Sequence, residues 1–270
     1  MKYTIIGASG FIGAALASRL QADGQEVYRP ARGTVELFTQ PLGRVVYAAG
    51  VTADFRTRPF DTLRANTALL ADMLERSDFD SLLYLSSARL YRHAGSSHED
   101  APIHVRSSDP EDLYDLTKLT AEALCHASGR SGARVVRLTN VVGPDFASTN
   151  FLGEIIRSAC VGGEITLRTA LDSAKDYVML DDVVELLAQI AISGRHVCYN
   201  LGAGRNLTHA DIVQTIVART GARWRVVDGA PTAASPPIDI GRVRAEFDFE
   251  PRTVLNHLPA LIDAYRKHTT

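Results

Sequence analysis

The chain has 270 residues, of which 46% are hydrophobic and 22% are charged, and its 29 basic and 31 acidic residues leave a formal net charge of −2. These values are typical of a globular protein with a sizeable core, and they favour neither nucleic acid nor an anionic membrane as a partner. Because no apolar run approaches the roughly 20 residues that cross a bilayer, we expect a cytoplasmic protein. The three cysteines are widely spaced, as buried free thiols of a reducing compartment are.

A strand, a glycine turn and a helix open the chain. Residues 2–6 form a short β-branched and aromatic run, and residues 14–20 have strong helix propensity. Of the three glycines between them, the first permits a tight turn, the second lets the backbone approach a pyrophosphate, and the third allows close helix-to-strand packing. The helix N-terminus adds donors and partial positive charge for the phosphates. We therefore predict a dinucleotide-binding turn, with contacts from Gly7, Ser9, Gly10, Phe11, Ile12 and Gly13.

The second strand, predicted at residues 26–30, ends where a dinucleotide fold reads the adenosine ribose. An Asp or Glu there favours NAD, whereas an Arg accommodates the 2′-phosphate of NADP. This chain has Arg29 and Arg32 and no acid, so NADP is slightly favoured over NAD, with Arg32 as the contact. We expect only a short strand at residues 35–37 before a buried strand at residues 44–50, which ends in the small residues that a bound cofactor requires.

The next signals carry chemistry. A buried strand predicted at residues 81–87 ends in the hydroxyl of Ser87, and a helix predicted at residues 113–124 carries Tyr114 and Lys118 four apart on one face. An ammonium beside a phenol favours the phenolate and lowers its pKa from about 10. Such a tyrosine can move a proton to or from an alcohol or a ketone. The serine hydroxyl can bond the same substrate oxygen.

Strands alternate with helices along most of the chain, which predicts an α/β fold with a doubly wound parallel sheet of the Rossmann type. Ligands of such sheets bind at the carboxyl ends of the strands, where Gly7, Ala49, Ser87 and Asn140 fall. The remaining predicted elements are helices at residues 61–76, 150–161, 208–220 and 254–266, an Asp182-capped helix ending at residue 192, strands at residues 133–138, 164–168 and 199–202, and a lead-in segment at residues 175–178. The histidines at positions 93, 98 and 104 lack metal-ligand spacing, so we predict no metal site.

The regular alternation loosens after residue 145. We predict a dinucleotide-binding domain at residues 1–145, to which residues 176–202 return. Residues 146–175 and 203–270 are expected to form a small cap that binds substrate over the carboxyl edge of the sheet.

In this order the motifs resemble the extended short-chain dehydrogenase/reductase family, in its NAD(P)-dependent epimerase/dehydratase branch that acts on nucleotide-activated sugars. The resemblance covers nearly the whole chain and includes the glycine turn, Ser86-Ser87-Ala88 with Tyr91, and Tyr114 with Lys118. Further landmarks are Ala48, Ala49, Asn66 and residues 140–144, 150–152, 175–178, 181–183, 199–202 and 249–251.

The resemblance implies a role for each of these residues. Tyr114 would be the acid/base, Lys118 would hold the nicotinamide ribose and lower the pKa of the tyrosine, and Ser87 would bond the reacting oxygen. Hydride would pass between the nicotinamide and a sugar carbon, C4. The further cofactor contacts would be Arg32, Leu37, Ala48, Ala49 and Asn66, and the substrate contacts Ser87, Arg89, Asn140, Asn150 and Lys175. A homodimer is also expected from the family.

Two departures from the family narrow the reaction and open alternatives. Dehydratases of the family carry an Asp-Glu pair, and decarboxylases a Glu, where this chain has Ala88 and Arg89. That difference favours 4-epimerisation or 4-keto reduction. The arginine that grips the substrate diphosphate is Lys175 here, a point charge without a bidentate fork. An NADPH-dependent reductase of a non-nucleotide carbonyl compound is therefore an alternative, as is a non-catalytic NADP-binding regulator.

Overall fold

The structure is a computed structural model that describes residues 1–52, 54–148 and 150–269. The strands are β1 (Lys2–Ile6), β2 (Glu26–Tyr28), β3 (Arg44–Tyr47), β4 (Ser81–Ser87), β5 (Ala133–Leu138), β6 (Asn140–Val142), β7 (Glu164–Leu167), β8 (Ala174–Met179), β9 (Cys198–Leu201), β10 (Asn206–Thr208) and β11 (Arg223–Val226). The α-helices are α1 (Phe11–Ala22), α2 (Pro59–Leu63), α3 (Leu69–Arg76), α4 (Leu113–Ala127), α5 (Phe151–Arg157), α6 (Leu180–Ser193), α7 (His209–Thr220), α8 (Gly241–Phe247) and α9 (Val254–Thr269).

The central sheet has six parallel strands in the order β2-β1-β3-β4-β5-β9. Successive strands are added on one side of β1 and then on the other, so the direction of winding reverses between β1 and β3. Parallel sheets of this type bind ligands at the carboxyl ends of the strands beside such a reversal. The predicted doubly wound α/β fold is therefore confirmed, and Gly7 and Ala48 follow the two strands that flank the reversal.

Helices cover both faces of this sheet because neighbouring residues of each strand point to opposite sides. On β4, Leu83 packs into a cluster with Leu16 of α1 and Leu187 of α6. The preceding residue, Leu82, packs into another cluster, with Met73 of α3. All five of these side chains are fully buried. Ala121 and Cys125 of α4 belong to the same cluster as Leu82, so the catalytic candidates on α4 sit on a helix packed against the sheet.

A second group of elements lies outside the central sheet. The strands β10-β8-β6 form a three-stranded sheet and β11-β7 a two-stranded one. Their side chains pack with those of α5, α7 and α9 in a hydrophobic cluster that includes Leu152, Ile165, Ile212 and Ile262. This cluster gathers most of the segments predicted to form the cap, together with Tyr177 of β8. The division into two domains stays a prediction.

The structure corrects two of the predicted elements. The short strand expected at residues 35–37 is wrong: Val35–Phe38 is a 3₁₀ helix, because the Thr34 hydroxyl accepts a hydrogen bond from the Glu36 N–H (3.3 Å) and turns the chain. The helix expected to be capped by Asp182 begins earlier, at Leu180, and has no side-chain cap. Asp182 is instead buried and accepts a hydrogen bond from the Arg252 N–H.

Two predicted helices are also interrupted by wider, π-helical turns. One turn, Arg64–Ala68, separates α2 from α3, and the other, Ser158–Gly162, follows α5. Such turns are frequent at functional sites. Among the described residues no helix is both long and apolar enough to cross a membrane.

Candidate active site

The glycine turn between β1 and α1 is packed too tightly for side chains at two of its positions. Gly7 has a φ of +85°, and a Cβ there would lie 2.7 Å from the backbone N of Ala49. A Cβ on Gly13 would lie 2.3 Å from the Gly7 carbonyl oxygen. Gly10 closes the turn by donating its N–H to the same oxygen (3.0 Å), and it is exposed. The turn therefore fits an approaching pyrophosphate at Gly10, at the start of a twelve-residue helix.

The other predicted cofactor residues fall into three environments. Ser9 is exposed beside Gly10, while Phe11 and Ile12 at the start of α1, and Ala48 and Ala49 after β3, are half-buried around the turn. Leu37 is buried in a hydrophobic cluster that also contains Val45 and Tyr47 of β3.

The loop after β2 carries the two arginines that bear on the choice between NAD and NADP. The Arg29 guanidinium donates a hydrogen bond to the Gln21 side chain (2.6 Å). Arg32 is exposed, and no hydrogen bond of its side chain is present within the described chain. Of the two, Arg32 is the one whose guanidinium is available to a ligand.

The side chain of Lys118 is buried in the protein. Its Nζ donates a hydrogen bond to the Leu85 carbonyl oxygen at 2.8 Å and sits 4.8 Å from the centre of the Tyr84 ring and 5.7 Å from that of Tyr114. Burial lowers the pKa of Lys118 to about 7, and the Glu122 carboxylate opposes this shift. The ammonium is therefore poised between its two protonation states at neutral pH.

Tyr114 occupies the first turn of α4, where Phe55 packs against its ring at a centroid distance of 5.6 Å. Burial raises the pKa of Tyr114 to about 12, and a hydrogen bond with the Ser87 side chain partly offsets the rise. The sequence predicts that Lys118 lowers the pKa of Tyr114, whereas the structure raises it. The reason is that both side chains are buried and that the Lys118 ammonium donates a hydrogen bond to the Leu85 carbonyl oxygen. Tyr114 is therefore a protonated phenol at neutral pH in this protein.

A cleft of about 400 Å³ opens over Tyr114. It is lined by Thr52, Phe55, Arg56, Ser87, Arg89, Tyr114, Asn140, Val141, Val142, Asn150, Phe151, Leu152, Lys175 and Tyr177. The fold thus brings together every residue predicted to contact substrate, from four segments far apart in sequence. Among the described residues that form this lining there is no carboxylate and no histidine.

Arg89 lies two residues after Ser87, the predicted catalytic hydroxyl. Its backbone N–H donates to the Ser87 hydroxyl (3.2 Å) at the start of a 3₁₀ helix, Ala88–His93. Its guanidinium donates to Asp115 (3.2 Å) and to the Glu111 carbonyl oxygen (3.1 Å). The side chain is therefore held by the buried Asp115 and the half-buried Glu111 while it still lines the cleft.

Lys175 and Tyr177, both on β8, also line the cleft. Lys175 is half-buried; burial lowers the pKa of its ammonium, and the positive charge of Arg89 lowers it further. No hydrogen bond or ion pair of the Lys175 ammonium is present within the described chain. Two cations that repel each other across a cleft without a carboxylate make the cleft favourable for an anion.

A family model of the "NAD dependent epimerase/dehydratase family" matches residues 3–202 of this chain. The chain belongs to this family. A "dTDP-6-deoxy-L-talose 4-dehydrogenase (NAD(P)(+))" of Kitasatospora kifunensis is 27% identical over 301 aligned positions, which cover 94% of this chain and 92% of the relative. A "dTDP-glucose 4,6-dehydratase" of Streptomyces griseus is 25% identical over 213 positions, 75% of this chain and 63% of the relative.

Solved structures of similar fold include nucleotide-sugar and dinucleotide complexes. "MoeE5 in complex with UDP-glucose and NAD" has a TM-score of 0.85 and 20% identity over the full length of both chains. "RMD from Pseudomonas aeruginosa complexed with NADPH" has a TM-score of 0.80 and 20% identity over 99% of each chain. At this identity the similarity establishes the fold of the epimerase/dehydratase family and nothing finer.

Two asparagines of this epimerase/dehydratase chain line the cleft but already bond the protein. The side-chain amide of Asn140 donates to the Asp176 carbonyl oxygen (2.8 Å). The side-chain oxygen of Asn150 accepts from the Gly153 N–H (2.8 Å) and caps α5. Both therefore fix the backbone of the cleft, and their contact with substrate stays a prediction.

Asn66 lies in the π-helical turn before α3 and is fully buried. Its side-chain oxygen accepts from the Val51 N–H (3.2 Å), and its amide donates to Thr117 of α4 (3.0 Å). It therefore ties the loop after β3 to the helix that carries Tyr114 and Lys118. A direct contact with the cofactor stays a prediction.

Tyr177 is a cleft residue that the sequence interpretation did not single out. Its hydroxyl is buried, and no hydrogen-bond partner for it exists in the described chain. The signal was present in the sequence, because Tyr177 is the aromatic residue of the Lys-Asp-Tyr-Val motif in which only Lys175 was assigned a role. No group of three or more potential metal ligands is found in residues 1–52, 54–148 and 150–269.

Proposed function

We propose that this protein catalyses reversible hydride transfer between NAD(P) and C4 of a nucleotide-activated sugar, and that it works as a 4-ketoreductase. The observation that carries the proposal is the composition of the cleft. Ser87 and Tyr114 meet at one end of it, and no carboxylate lines its described walls. Dehydration needs a further base to remove a proton beside the ketone, and the cleft offers none.

The residues at the carboxyl edge of the sheet fit a dinucleotide. Gly7, Gly10 and Gly13 would admit the pyrophosphate, Arg32 would reach the adenosine ribose, and Lys118 would hold the nicotinamide ribose. The bound cofactor would supply the hydride, and the protein would orient it and move the proton.

The protein's part of the reduction is proton transfer and orientation. The hydroxyls of Ser87 and Tyr114 would both bond the C4 carbonyl oxygen of the substrate. Because burial raises the pKa of Tyr114 to about 12, its phenol is protonated and can donate to the oxygen as negative charge develops there. The Lys118 ammonium would then stabilise the phenolate that is left.

The substrate class rests on the charge of the cleft and on the relatives. Lys175 and Arg89 would attract the diphosphate of the substrate, and the relative that spans 94% of this chain is named for a dTDP-sugar 4-dehydrogenase. We place the sugar between the carboxyl edge of the sheet and the predicted cap. A carbonyl substrate without a nucleotide would leave the half-buried Lys175 without an anion.

Epimerisation at C4 is the second candidate, because it uses the same serine, tyrosine and lysine. The two reactions differ in the fate of the cofactor: a reductase consumes NAD(P)H in every turnover, whereas an epimerase regenerates it. The protonated state of Tyr114 and the available Arg32 favour the reductase.

The test measures NADPH and NADH oxidation with 4-keto dTDP-, UDP-, GDP- and CDP-sugars, and sugar interconversion without net oxidation. We expect steady oxidation with at least one of these nucleotides, and Tyr114→Phe should lower kcat by roughly 100- to 10,000-fold. Tyr3→Phe, which alters a buried tyrosine of β1 outside the cleft lining, is the matched control.

Three results would each overturn a part of the proposal. Thermal stabilisation by none of the nucleotide sugars would remove the substrate class. Unchanged turnover in Tyr114→Phe would remove the catalytic role of the tyrosine. Interconversion without cofactor consumption would replace the reductase with the epimerase.

A further inference from the structure

A third functional side chain lies on the face of α4 that carries Tyr114 and Lys118. Glu122 follows Lys118 by four residues, as Lys118 follows Tyr114, so the three side chains succeed one another along one face of the helix. Glu122 is 3% exposed. A buried carboxylate is costly unless it is paired and hydrogen-bonded, so its partners indicate what it is for.

The Glu122 carboxylate is held by the two strands beneath α4. Ser86 of β4 donates its hydroxyl to one carboxylate oxygen. Arg137 of β5 donates from two nitrogens, at 2.6 Å to one oxygen and at 3.1 Å to the other. Ser86 and Arg137 are neighbours in the register of the sheet, so the carboxylate rests on a single rung of β4 and β5.

The same stretch of β4 also holds the catalytic pair. Ser86 lies between Leu85, whose carbonyl oxygen accepts the hydrogen bond from Lys118 Nζ, and Ser87, which bonds Tyr114. Three consecutive residues of one strand thus fix Lys118, Glu122 and Tyr114 in turn. The Glu122 carboxylate is therefore anchored to the strand residue that lies between those holding Lys118 and Tyr114.

The charged and titratable groups that face Lys118 are few. From its own helix they are Tyr114 and Glu122, and from β4 the ring of Tyr84 at 4.8 Å. The uncharged side chain of Asn66 and the backbone of Gly50 close the side towards the loop after β3. Glu122 is the group whose negative charge supports the ammonium against burial.

We propose that Glu122 is a positioning residue for the Tyr114–Lys118 pair, whose fixed buried carboxylate supports the charged form of the lysine against the effect of burial. The proposal rests on the proposed function for its catalytic meaning, since a neutral lysine could neither bind a ribose hydroxyl as a cation nor stabilise a tyrosine phenolate. Arg137 has a separate role, because its positive charge balances that of the carboxylate. Its guanidinium is itself held by hydrogen bonds that it donates to the Tyr91 hydroxyl (2.7 Å) and to the Glu99 carbonyl oxygen (3.1 Å).

A purely structural Glu122–Arg137 pair would behave differently. If the carboxylate only compensated Arg137, removing both charges together would leave Lys118 unaffected. If it also supports the ammonium, Lys118 loses its proton more easily in the double variant as well, because the charge that acts on the pKa of Lys118 is that of Glu122 and not that of Arg137. The double variant therefore separates the two roles.

The ionisation of Lys118 can be read directly because the chain has only four lysines, Lys2, Lys118, Lys175 and Lys267. The full-length protein, grown with lysine carrying ¹³C at Cε, gives four resonances, and Lys118→Arg identifies the one of interest. Titration is followed in wild type, in Glu122→Gln and in Glu122→Gln/Arg137→Gln. The double variant keeps the experiment decisive where the single variant fails to fold, since a lone buried Arg137 is strongly unfavourable.

In Glu122→Gln/Arg137→Gln we expect the Lys118 resonance to titrate about one pH unit or more lower than in wild type, the size expected of one nearby opposite charge. Tyr91→Phe is the matched control, because it removes a hydrogen bond of Arg137 and no charge. Its Lys118 titration should equal that of wild type. Where turnover is measurable, the alkaline limb of kcat/KM should move to lower pH by the same amount.

A Lys118 titration that is unchanged in the double variant would overturn the inference, as would an equal shift in Tyr91→Phe. Because the resonance is read without turnover, this outcome is independent of the reaction. If Tyr114→Phe left turnover intact while Lys118 still shifted, the proposed function would fail and the coupling between Glu122 and Lys118 would stand.

Discussion

The proposed cofactor side, which is the glycine turn, and the proposed substrate side, which is the cleft over Tyr114, are built in different ways. The cofactor side is a backbone site, in which added Cβ atoms on Gly7 and Gly13 would lie 2.7 and 2.3 Å from other backbone atoms. The substrate side is a side-chain site, to which distant segments contribute Ser87, Asn150 and Lys175. A backbone site tolerates no change of shape, whereas a side-chain site can change its ligand by substitution.

The largest expected effect tests the rigidity of the cofactor side. Gly13→Ala places a Cβ 2.3 Å from the Gly7 carbonyl oxygen, where only backbone could move, and should lower the free energy of unfolding by about 3 kcal/mol. Gly10→Ala is the control, because its Cβ has 3.4 Å of clearance from the same oxygen. It should retain stability and lose thermal stabilisation by NADP(H). Equal unfolding midpoints for the two variants in urea would contradict this account.

The next effect tests how much the burial of Lys118 lowers the free energy of unfolding. Its pKa is about 7 in the folded protein and 10.5 normally, so the penalty is fully present below pH 7 and disappears as pH rises to 10.5. Lys118→Met should therefore abolish turnover but raise the free energy of unfolding by about 2 kcal/mol at pH 6. Denaturation at pH 6 and pH 10 measures it. A gain that grew with pH would refute the sign, and the exposed Lys267→Met should show no gain.

A smaller effect tests the anion expected on the substrate side. Lys175→Ala removes the cation of β8 that has no partner in the described chain, so KM for the nucleotide sugar should rise by roughly tenfold, about 1.4 kcal/mol, with kcat nearly constant. Lys175→Arg supplies a planar fork and should restore a low KM. Steady-state kinetics with saturating cofactor separate the two constants. A fall in kcat with unchanged KM would place Lys175 in the chemical step instead.

The smallest effect concerns the choice of dinucleotide. Arg32→Ala should raise KM for NADPH by roughly fivefold, as expected for one exposed charge pair, and leave KM for NADH unchanged. Arg29→Ala is the comparison, because that arginine is already bonded to Gln21. Equal effects of Arg32→Ala on both cofactors would show that the arginine does not read the 2′-phosphate.

Local patterns in the sequence predicted the parts of the fold that depend on local physics. The order of strands and helices follows from apolar periodicity, and the capping of α7 by Thr208 follows from a hydroxyl before a helical run. The 3₁₀ helix at Val35–Phe38 differs from the predicted strand because a segment of four residues is too short for periodicity to distinguish a helical turn from a strand. Asp182 was mistaken for a cap because its partner, Arg252, is 70 residues away.

In the candidate site, too, the features that follow from local patterns differ from those that depend on distant residues. The sequence by itself determined the glycine turn and the pairing of Tyr114 with Lys118, because a glycine requirement and an i, i+4 spacing are local properties of the chain. Only the tertiary structure decided that the lysine is buried at a pKa of about 7, that Glu122 supports it, and that Tyr177 faces the cleft without a partner. Burial and ionisation depend on which distant segments surround a group, and no local pattern contains that information.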